Sequence, residues 1–190
     1  MKALDQILSG CNDLGAARGY ALIQASTHNL TNIVNMLLKK GPISQDDRGC
    51  AAGEAASNRN LAIVQSIIKS GPISRNDTNT ILISCVNYNR LELIKYLLEN
   101  FCFGTFTLSN AIETASKFGY VDVVKYIIER NNVYIESRDE AIVQAAKKGF
   151  IDIVLILLQT KPKFTKEKDK AIFYAQQKGH HQIVELLINF

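Results

Sequence analysis

The sequence predicts an all-α fold, an α-solenoid of stacked antiparallel helix pairs. Three features of the 190 residues lead to this prediction: a thirty-residue period without gaps, two stretches of helically spaced apolar residues in every period, and a turn-forming residue between the two stretches. A single helix pair of this size cannot enclose its own apolar side chains, so neighbouring pairs must cover them. A linear stack gives every pair such neighbours.

The first stretch of each period contains small residues four positions apart. One column consists of Ala21, Ala51, Ile81, Ala111, Ala141 and Ala171, and the next consists of Ala25, Ala55, Cys85, Ala115, Ala145 and Ala175. Larger aliphatic residues stand beside the first column, as Leu22 and Ile112 do. This spacing predicts a helix with a narrow buried face, which we call helix A. We interpret Cys85 as a small core residue of this column rather than as a nucleophile.

The second stretch carries apolar residues at the spacing i, i+3 and i+7, as in Val121, Val124 and Ile128. That spacing is typical of an amphipathic helix, which we call helix B. Aliphatic pairs keep the same register through the chain: Ile33-Val34, Ile63-Val64, Leu93-Ile94, Val123-Val124, Ile153-Val154 and Ile183-Val184. Each period therefore predicts one A/B helix pair.

The turn between helix A and helix B is marked by one position, occupied by Asn29, Arg59, Asn89, Gly119, Gly149 and Gly179. Glycine and asparagine adopt most readily the left-handed conformation that ends a helix. Arg59 departs from this pattern, although an asparagine flanks it on each side. We expect a left-handed turn at this column.

A second turn joins each pair to the next one. Gly41-Pro42-Ile43-Ser44 and Gly71-Pro72-Ile73-Ser74 place glycine and proline where helix B ends and serine where the next helix A begins. Asp47 and Asp77 follow these serines by three positions, where an acid can return a hydrogen bond to the cap. The later connections, at 101–104, 131–134 and 161–164, lack this sequence, so we expect them to turn less uniformly.

We expect a single domain spanning 1–190. Counting backward from the first column places Ala3, Leu4, Ile7 and Leu8 in helix B positions, so 1–20 is predicted to be an N-terminal capping half-repeat. The predicted repeats are 21–50, 51–80, 81–110, 111–140 and 141–170, followed by a C-terminal capping repeat at 171–190. This division predicts six A/B pairs preceded by one lone helix.

Composition points to a folded cytosolic protein, which we expect to be a monomer. The longest aliphatic run, Ile153 to Leu158, is far shorter than the roughly 20 apolar residues of a membrane-spanning helix. Met1 to Gly10 does not resemble a signal peptide. The four cysteines show neither a CxxC pair nor zinc-ligand spacing, so we expect reduced thiols.

The repeating pattern resembles the ankyrin repeat, most closely at Gly179-His180, Ile183-Val184 and Leu187-Ile188. The resemblance covers essentially the whole chain, but every unit lacks the Thr-Pro-Leu-His start and is about three residues shorter than usual. It implies that the β-hairpin fingers of ankyrin repeats are trimmed to turns here. Such shortened arrays are similar to those of intracellular bacteria and giant viruses, which would make the chain an effector or adaptor in a host cytosol.

The residues point to binding rather than catalysis. The sequence contains no phosphate-binding loop, no HExxH and no GxSxG, and its only histidines are His28, His180 and His181. We expect no cofactor and no metal, and a turn-stabilising or solvated role for His180 and His181. A Cys-His contact in a groove would instead favour a catalytic role. The family resemblance implies that the chain binds another protein on its concave side, chiefly with helix A.

The candidate binding residues are those that precede the A/B turn, which we call the last-turn residues: Thr27, His28, Ser57, Asn58, Asn87, Tyr88, Lys117, Phe118, Lys147, Lys148, Gln177 and Lys178. The side-chain types at these positions vary from repeat to repeat while the buried positions stay the same, as recognition of a partner requires. Any surface that packing does not constrain also varies in this way. Tyr88 and Phe118 are the predicted aromatic anchors, provided that they do not turn inward.

Two further surfaces are open to a functional interpretation. The last fifty residues hold 8 Lys+Arg against 4 Asp+Glu, so nucleic acid or anionic lipid could bind electrostatically at Lys147, Lys148, Lys163 and Lys166. A solvated turn and helix start explains the lysines between Lys161 and Lys170, and we expect a protein rather than nucleic acid or a membrane as the partner. Leu155, next to Ile156, stands where other units carry polar residues and could form a convex contact patch or a single exposed leucine.

Overall fold

The computed structural model describes residues 14–130, 135–160 and 167–190, and all regular structure within these ranges is α-helical. The helices are α1 (Leu14–Thr27), α2 (Thr31–Lys39), α3 (Gln45–Ser57), α4 (Leu61–Ser70), α5 (Arg75–Asn87), α6 (Leu91–Asn100), α7 (Thr105–Phe118), α8 (Val121–Arg130), α9 (Ile135–Lys148), α10 (Ile151–Leu158), α11 (Glu167–Gln177) and α12 (His181–Asn189). Odd-numbered helices are A helices and even-numbered helices are B helices. The all-α prediction and its six A/B pairs are confirmed.

The lone helix predicted from Ala3, Leu4, Ile7 and Leu8 lies outside the described residues. Because the predicted repeats start at Ala21, their borders fall inside A helices rather than between pairs. Within the described ranges, none of the helices combines the length and the apolarity that crossing a membrane requires.

The chain divides between Cys85 and Val86 into two compact units, and this boundary falls inside α5. In the first unit, α1 packs against α3 and α2 packs against α4. In the second unit, α7, α9 and α11 pack in succession, as do α6, α8, α10 and α12. Each unit therefore stacks helix A on helix A and helix B on helix B, as an α-solenoid does.

The small-residue columns form the core between successive A helices. Nearly all of their side chains are fully buried: Ala51, Ala55, Ile81, Cys85, Ala111, Ala115, Ala141, Ala145, Ala171 and Ala175. Cys85 is 1% exposed, which confirms its interpretation as a small core residue. Within the described residues no disulfide joins Cys50, Cys85 or Cys102, and Cys11 lies outside these residues.

Left-handed backbone ends every A helix whose turn was predicted. The φ values are 57° at Asn29, 62° at Arg59, 53° at Asn89, 78° at Gly119, 83° at Gly149 and 74° at Gly179. Arg59 adopts this conformation itself, so the column continues through the residue that breaks its sequence pattern. Because a Cβ atom disfavours left-handed backbone, Arg59 retains a conformational cost that asparagine or glycine would reduce.

Serine caps begin the A helices that follow the Gly-Pro-Ile-Ser turns. The hydroxyl oxygen of Ser44 accepts a hydrogen bond from the N–H of Asp47 at 3.0 Å and donates one to its carboxylate at 2.6 Å. Ser74 and Asp77 repeat both bonds. The predicted capping is confirmed, with the returned bond made to the serine hydroxyl. The connections at 40–44, 71–74 and 101–104 contain no strand, so the expected trimming of the hairpins is also found there.

The capping acid also contacts the preceding A helix. The carboxylate of Asp47 lies against Gly19 of α1, where any added Cβ would collide with it. Next to this glycine, Arg18 reaches across the connection and donates a hydrogen bond to the Pro42 carbonyl oxygen at 3.0 Å. Gly41 gives the guanidinium its space, since a Cβ there would lie 2.8 Å from Nη1 of Arg18. The turn is thereby tied to the helix before it.

The same junction recurs thirty residues later. Asp77 lies against Gly49, and Arg48 donates hydrogen bonds to the carbonyl oxygens of Pro72 at 3.1 Å and Ile43 at 2.7 Å. These polar contacts set the register between successive A helices, because the glycine, the arginine and the acid must all meet their partners together.

We expect opposite effects from adding a methyl group at two glycines one turn apart on α3. A Cβ at Gly49 would lie 2.9 Å from the Cβ of Asp77, whereas the nearest atom to a Cβ at Gly53 is 3.9 Å away. Gly49→Ala should lower the free energy of unfolding by about 1–3 kcal/mol through overpacking. Gly53→Ala should raise it by about 0.5–1 kcal/mol through helix propensity. Urea denaturation checks both values. Equal effects of the two substitutions would contradict the close contact between Asp77 and Gly49.

The left-handed turn at Arg59 should become more stable with asparagine in place of arginine. Arg59→Asn should raise the free energy of unfolding by about 0.5–1 kcal/mol, because asparagine tolerates left-handed backbone better than arginine. Arg59→Ala is the control, since it removes the same charge without favouring this conformation. A gain from alanine as large as the gain from asparagine would show that charge, and not backbone, is responsible.

Candidate functional site

The last-turn residues lie where the sequence predicts them, at the end of each A helix. All are exposed except Thr27, which is half-buried and whose hydroxyl donates a hydrogen bond to the Ile23 carbonyl oxygen at 3.0 Å. Four of them belong to the first unit: Thr27, His28, Ser57 and Asn58. The other eight belong to the second unit.

In the first unit, side-chain amides connect the two described A/B turns. The Asn58 amide donates a hydrogen bond to the Thr27 carbonyl oxygen at 2.9 Å, and the Asn60 amide donates one to Oδ1 of Asn29 at 3.4 Å. Asn60 also caps α4 by accepting from the N–H of Ile63 at 3.1 Å. Asn58 is thus engaged in holding successive turns together, which leaves it less free for a partner.

In the second unit, the two predicted anchors face outward. Tyr88 is 57% exposed and Phe118 is 47% exposed. The guanidinium of Arg90 lies 5.5 Å from the centre of the Tyr88 ring. Phe118 stacks on Tyr120, with ring centres 5.8 Å apart and planes 25° from parallel. Both anchors therefore keep exposed ring surface while a neighbouring side chain restricts their motion.

Tyr120 is a residue of this surface that the sequence analysis missed. Its hydroxyl donates a hydrogen bond to the carbonyl oxygen of Asn87 at 3.3 Å, and its ring is the one that stacks on Phe118. It thereby links the backbone beside Tyr88 to the second anchor. The sequence does contain a signal for it, because the position after the turn residue is occupied by aromatic residues at Tyr120 and Phe150.

Rings from this column cover the preceding turn in later repeats. A Cβ at Gly119 would lie 2.7 Å from Cε1 of Phe150, and a Cβ at Gly149 would lie 2.7 Å from Cε1 of His180. Glycine is needed there both for its positive φ and for the close approach of a ring. The His180 ring thus lies against the preceding turn, and the turn-stabilising or solvated role expected for His180 and His181 stays a prediction. Among the described residues, no three His, Cys, Asp or Glu side chains are grouped to hold a metal ion.

The lysines near these turns carry charge without an acidic partner. Lys117 lies 5.7 Å from the centre of the Phe118 ring, and Lys147 lies 5.0 Å from that of Tyr174. Lys148 and Lys178 are exposed. No carboxylate of the described residues forms an ion pair with any of these four lysines. Their positive charge is available to a ligand.

Carboxylates occupy the middle of the A-helix face in the second unit. Burial raises the pKa of the half-buried Glu113 carboxyl, and the negative charge of Glu140 raises this pKa further. Glu140 accepts a hydrogen bond from the Gln144 amide at 2.8 Å. Glu113 does not neutralise Lys117, one turn along α7, because no ion pair joins them.

Leu155 and Ile156 of α10 line two different grooves. Leu155, which is 40% exposed, lines a groove of about 670 Å³ with Ile151, Leu186 and Phe190. The half-buried Ile156 lines a groove of about 460 Å³ whose other walls include Val121. Leu155 is thus exposed as the sequence suggested, and the function of this surface stays a prediction.

We expect the stability contributed by Glu113 to fall as pH rises. Because its folded pKa lies above its ordinary value, the folded state holds this proton more tightly, and that advantage is lost as pH increases from about 4.5 through the folded pKa. Glu113→Gln should therefore raise the free energy of unfolding more at pH 7 than at pH 4. Urea denaturation at both pH values checks this, with Glu129→Gln on the exposed surface of α8 as control. A benefit that does not grow with pH would contradict the assignment.

The sequence of this chain matches a known family. Three copies of the family model described as ankyrin repeats match the chain, at residues 22–110, 53–139 and 108–190. A search of curated proteins finds no match. Ankyrin repeats are generally protein–protein interaction modules and typically non-enzymatic scaffolds. The matches extend over residues 22–190, and the chain belongs to the ankyrin repeat family.

Proposed function

We propose that the chain is a non-enzymatic module that binds a partner protein through its last-turn residues, with Tyr88 and Phe118 as anchors. The observation that carries this proposal is the outward position of both rings on a frame of buried small residues. Side chains that packing does not require, yet that present large apolar area, are the residues that commonly dominate binding energy at interfaces.

The surface around the anchors is ordered before a partner arrives. Tyr120 stacks on Phe118 and hydrogen bonds to the backbone of Asn87, while Arg90 lies over Tyr88. Aromatic side chains have few rotatable bonds, so fixing them costs little conformational entropy. A partner that binds here gives up less of its interaction energy to ordering the site.

Neighbouring residues extend the surface with polar groups. Lys117 and Lys147 offer ammonium groups beside the rings, and Gln144 and Thr114 lie one turn earlier on their helices. An aromatic centre with a polar rim is the usual composition of a protein-binding patch. The monomeric state, the cytosolic setting and an effector role stay predictions from the sequence.

The test combines capture with affinity. The full chain, immobilised and exposed to lysate of its native host, should capture a protein that mass spectrometry identifies. The Tyr88→Ala/Phe118→Ala variant should bind that protein at least about thirtyfold more weakly, since anchors of this kind contribute about 2 kcal/mol or more. Calorimetric titration measures this difference.

Phe106→Ala provides the matched control. Phe106 is 83% exposed in the first turn of α7, at the end of that helix opposite Phe118, so its loss removes aromatic surface without touching the anchors. Circular dichroism should show the same helical content in all variants. Unchanged affinity in the double variant, or an equal loss in the control, would contradict the proposed site.

A further inference from the structure

We propose that the partner presents an extended acidic segment to a basic edge of the second unit, an inference that rests on the proposed function and names the chemistry of its partner. This turn edge consists of the A/B turns at 87–90, 117–120, 147–150 and 177–180. It contains Arg90, Lys117, Lys147, Lys148 and Lys178, and it contains no aspartate or glutamate.

The turn edge differs in charge from the B helices of the second unit. The turn edge carries five cations and no carboxylate, whereas the B helices α6, α8, α10 and α12 together carry six carboxylates and three cations. Glu92, Asp122 and Asp152 lie in the first turns of α6, α8 and α10, next to the edge, so an acidic segment is attracted to the turns and repelled from the B-helix side. Complementary potentials of this kind direct association and exclude wrong orientations.

Helix ends alone do not account for these cations. Lysine at the C-terminus of a helix is favoured by the helix dipole, which would explain Lys117, Lys147 and Lys148 without a ligand. The A helices α1 and α3 of the first unit end without any basic residue in the last turn. The fold therefore forms this helix end without lysine, and Arg90 lies beyond the helix altogether.

The edge is continuous because each turn contacts the next one. Tyr120 hydrogen bonds to Asn87, Phe150 lies against Gly119, and His180 lies against Gly149. The cations are consequently held in order along one edge of the unit. Lys117, Lys147, Lys148 and Lys178 have no ion pair with any described carboxylate, so a ligand does not have to displace one.

The spacing of the turns suits an extended polypeptide. Packed helices lie about 8–10 Å apart, so successive turns repeat at about that distance. An extended chain advances about 3.3 Å per residue, so an acidic residue at every third position meets one turn after another. Duplex DNA carries a charge about every 1.7 Å of its axis, several times denser than this edge provides.

The rings of the edge also favour a polypeptide over single-stranded nucleic acid. Bases bind to open aromatic faces, but here Phe118 stacks on Tyr120 and Phe150 covers Gly119. The ring surface that remains exposed can contact aliphatic side chains of a peptide. Lysine, which predominates here, lacks the planar fork with which arginine binds phosphate. The apolar residues of the segment then lie beside Tyr88 and Phe118.

The experiment titrates the isotope-labelled full chain, observed by NMR, with a synthetic peptide of repeated Glu-Leu-Ser triplets at low salt. The peptide should bind and should shift signals of the turn edge, whereas the Gln-Leu-Ser counterpart should bind about tenfold more weakly or not at all. Lys117→Gln/Lys147→Gln/Lys148→Gln should weaken binding of the acidic peptide by about tenfold, given the modest energy of each exposed ion pair.

The matched control is Lys39→Gln/Lys69→Gln/Lys125→Gln. It removes the same charge from exposed positions on α2, α4 and α8, none of which belongs to the turn edge, and should change affinity by less than about twofold. Equal weakening by both variants would show attraction to net charge only and would overturn the proposed edge. No binding of the acidic peptide would overturn it as well.

Binding of nucleic acid and of lipid vesicles tests which class of partner the edge prefers. A single-stranded oligodeoxynucleotide of the same net charge, or phosphatidylserine vesicles, should bind more weakly than the acidic peptide. Tighter binding of either one would overturn the assignment to a polypeptide. This failure is distinguishable from failure of the proposed function. If binding of the captured protein depends on Tyr88 and Phe118 but not on the three lysines, the proposed binding site stands and only the acidic segment is overturned.

Discussion

The structure depends on one constraint, which is that no helix pair buries its own apolar surface. The A helices contribute alanines so small that successive helices approach closely, and the B helices contribute a wider aliphatic stripe. Each buried aliphatic side chain is worth about 1.5–3 kcal/mol only when the next pair covers it. Cooperation between neighbours, rather than any single helix, therefore stabilises each unit, and it leaves the ends of the A helices without a role in the core.

Contacts between successive A/B turns hold those ends in place. In the first unit, the side-chain amides of Asn58 and Asn60 donate hydrogen bonds to Thr27 and Asn29 of the preceding turn. In the second unit, the aromatic side chains that follow the turn residue contact the preceding turn instead. The change from amides to rings places aromatic surface and lysine side by side along one edge. A device that aligns repeats thereby also creates a surface suited to binding.

Much of this arrangement follows from the sequence because it is periodic. The helix pairs, the serine caps, the left-handed turns and the burial of Cys85 are local or columnar, so thirty-residue spacing suffices to predict them. The bridging role of Tyr120 and the reach of Arg18 could not be predicted in the same way. Those contacts join residues of different repeats, and a column shows that two side chains are neighbours without showing which direction each one takes.

Amide hydrogen exchange on the full chain, alone and saturated with the captured protein, tests the central claim that the A/B turns of the second unit form the binding surface. The account predicts slower exchange in peptides covering 87–90, 117–120 and 147–150, because bound chain excludes solvent from these turns. Peptides covering the exposed parts of α6 and α8 should be unaffected. Slowing confined to the B helices, with unchanged exchange at the turns, would contradict the account.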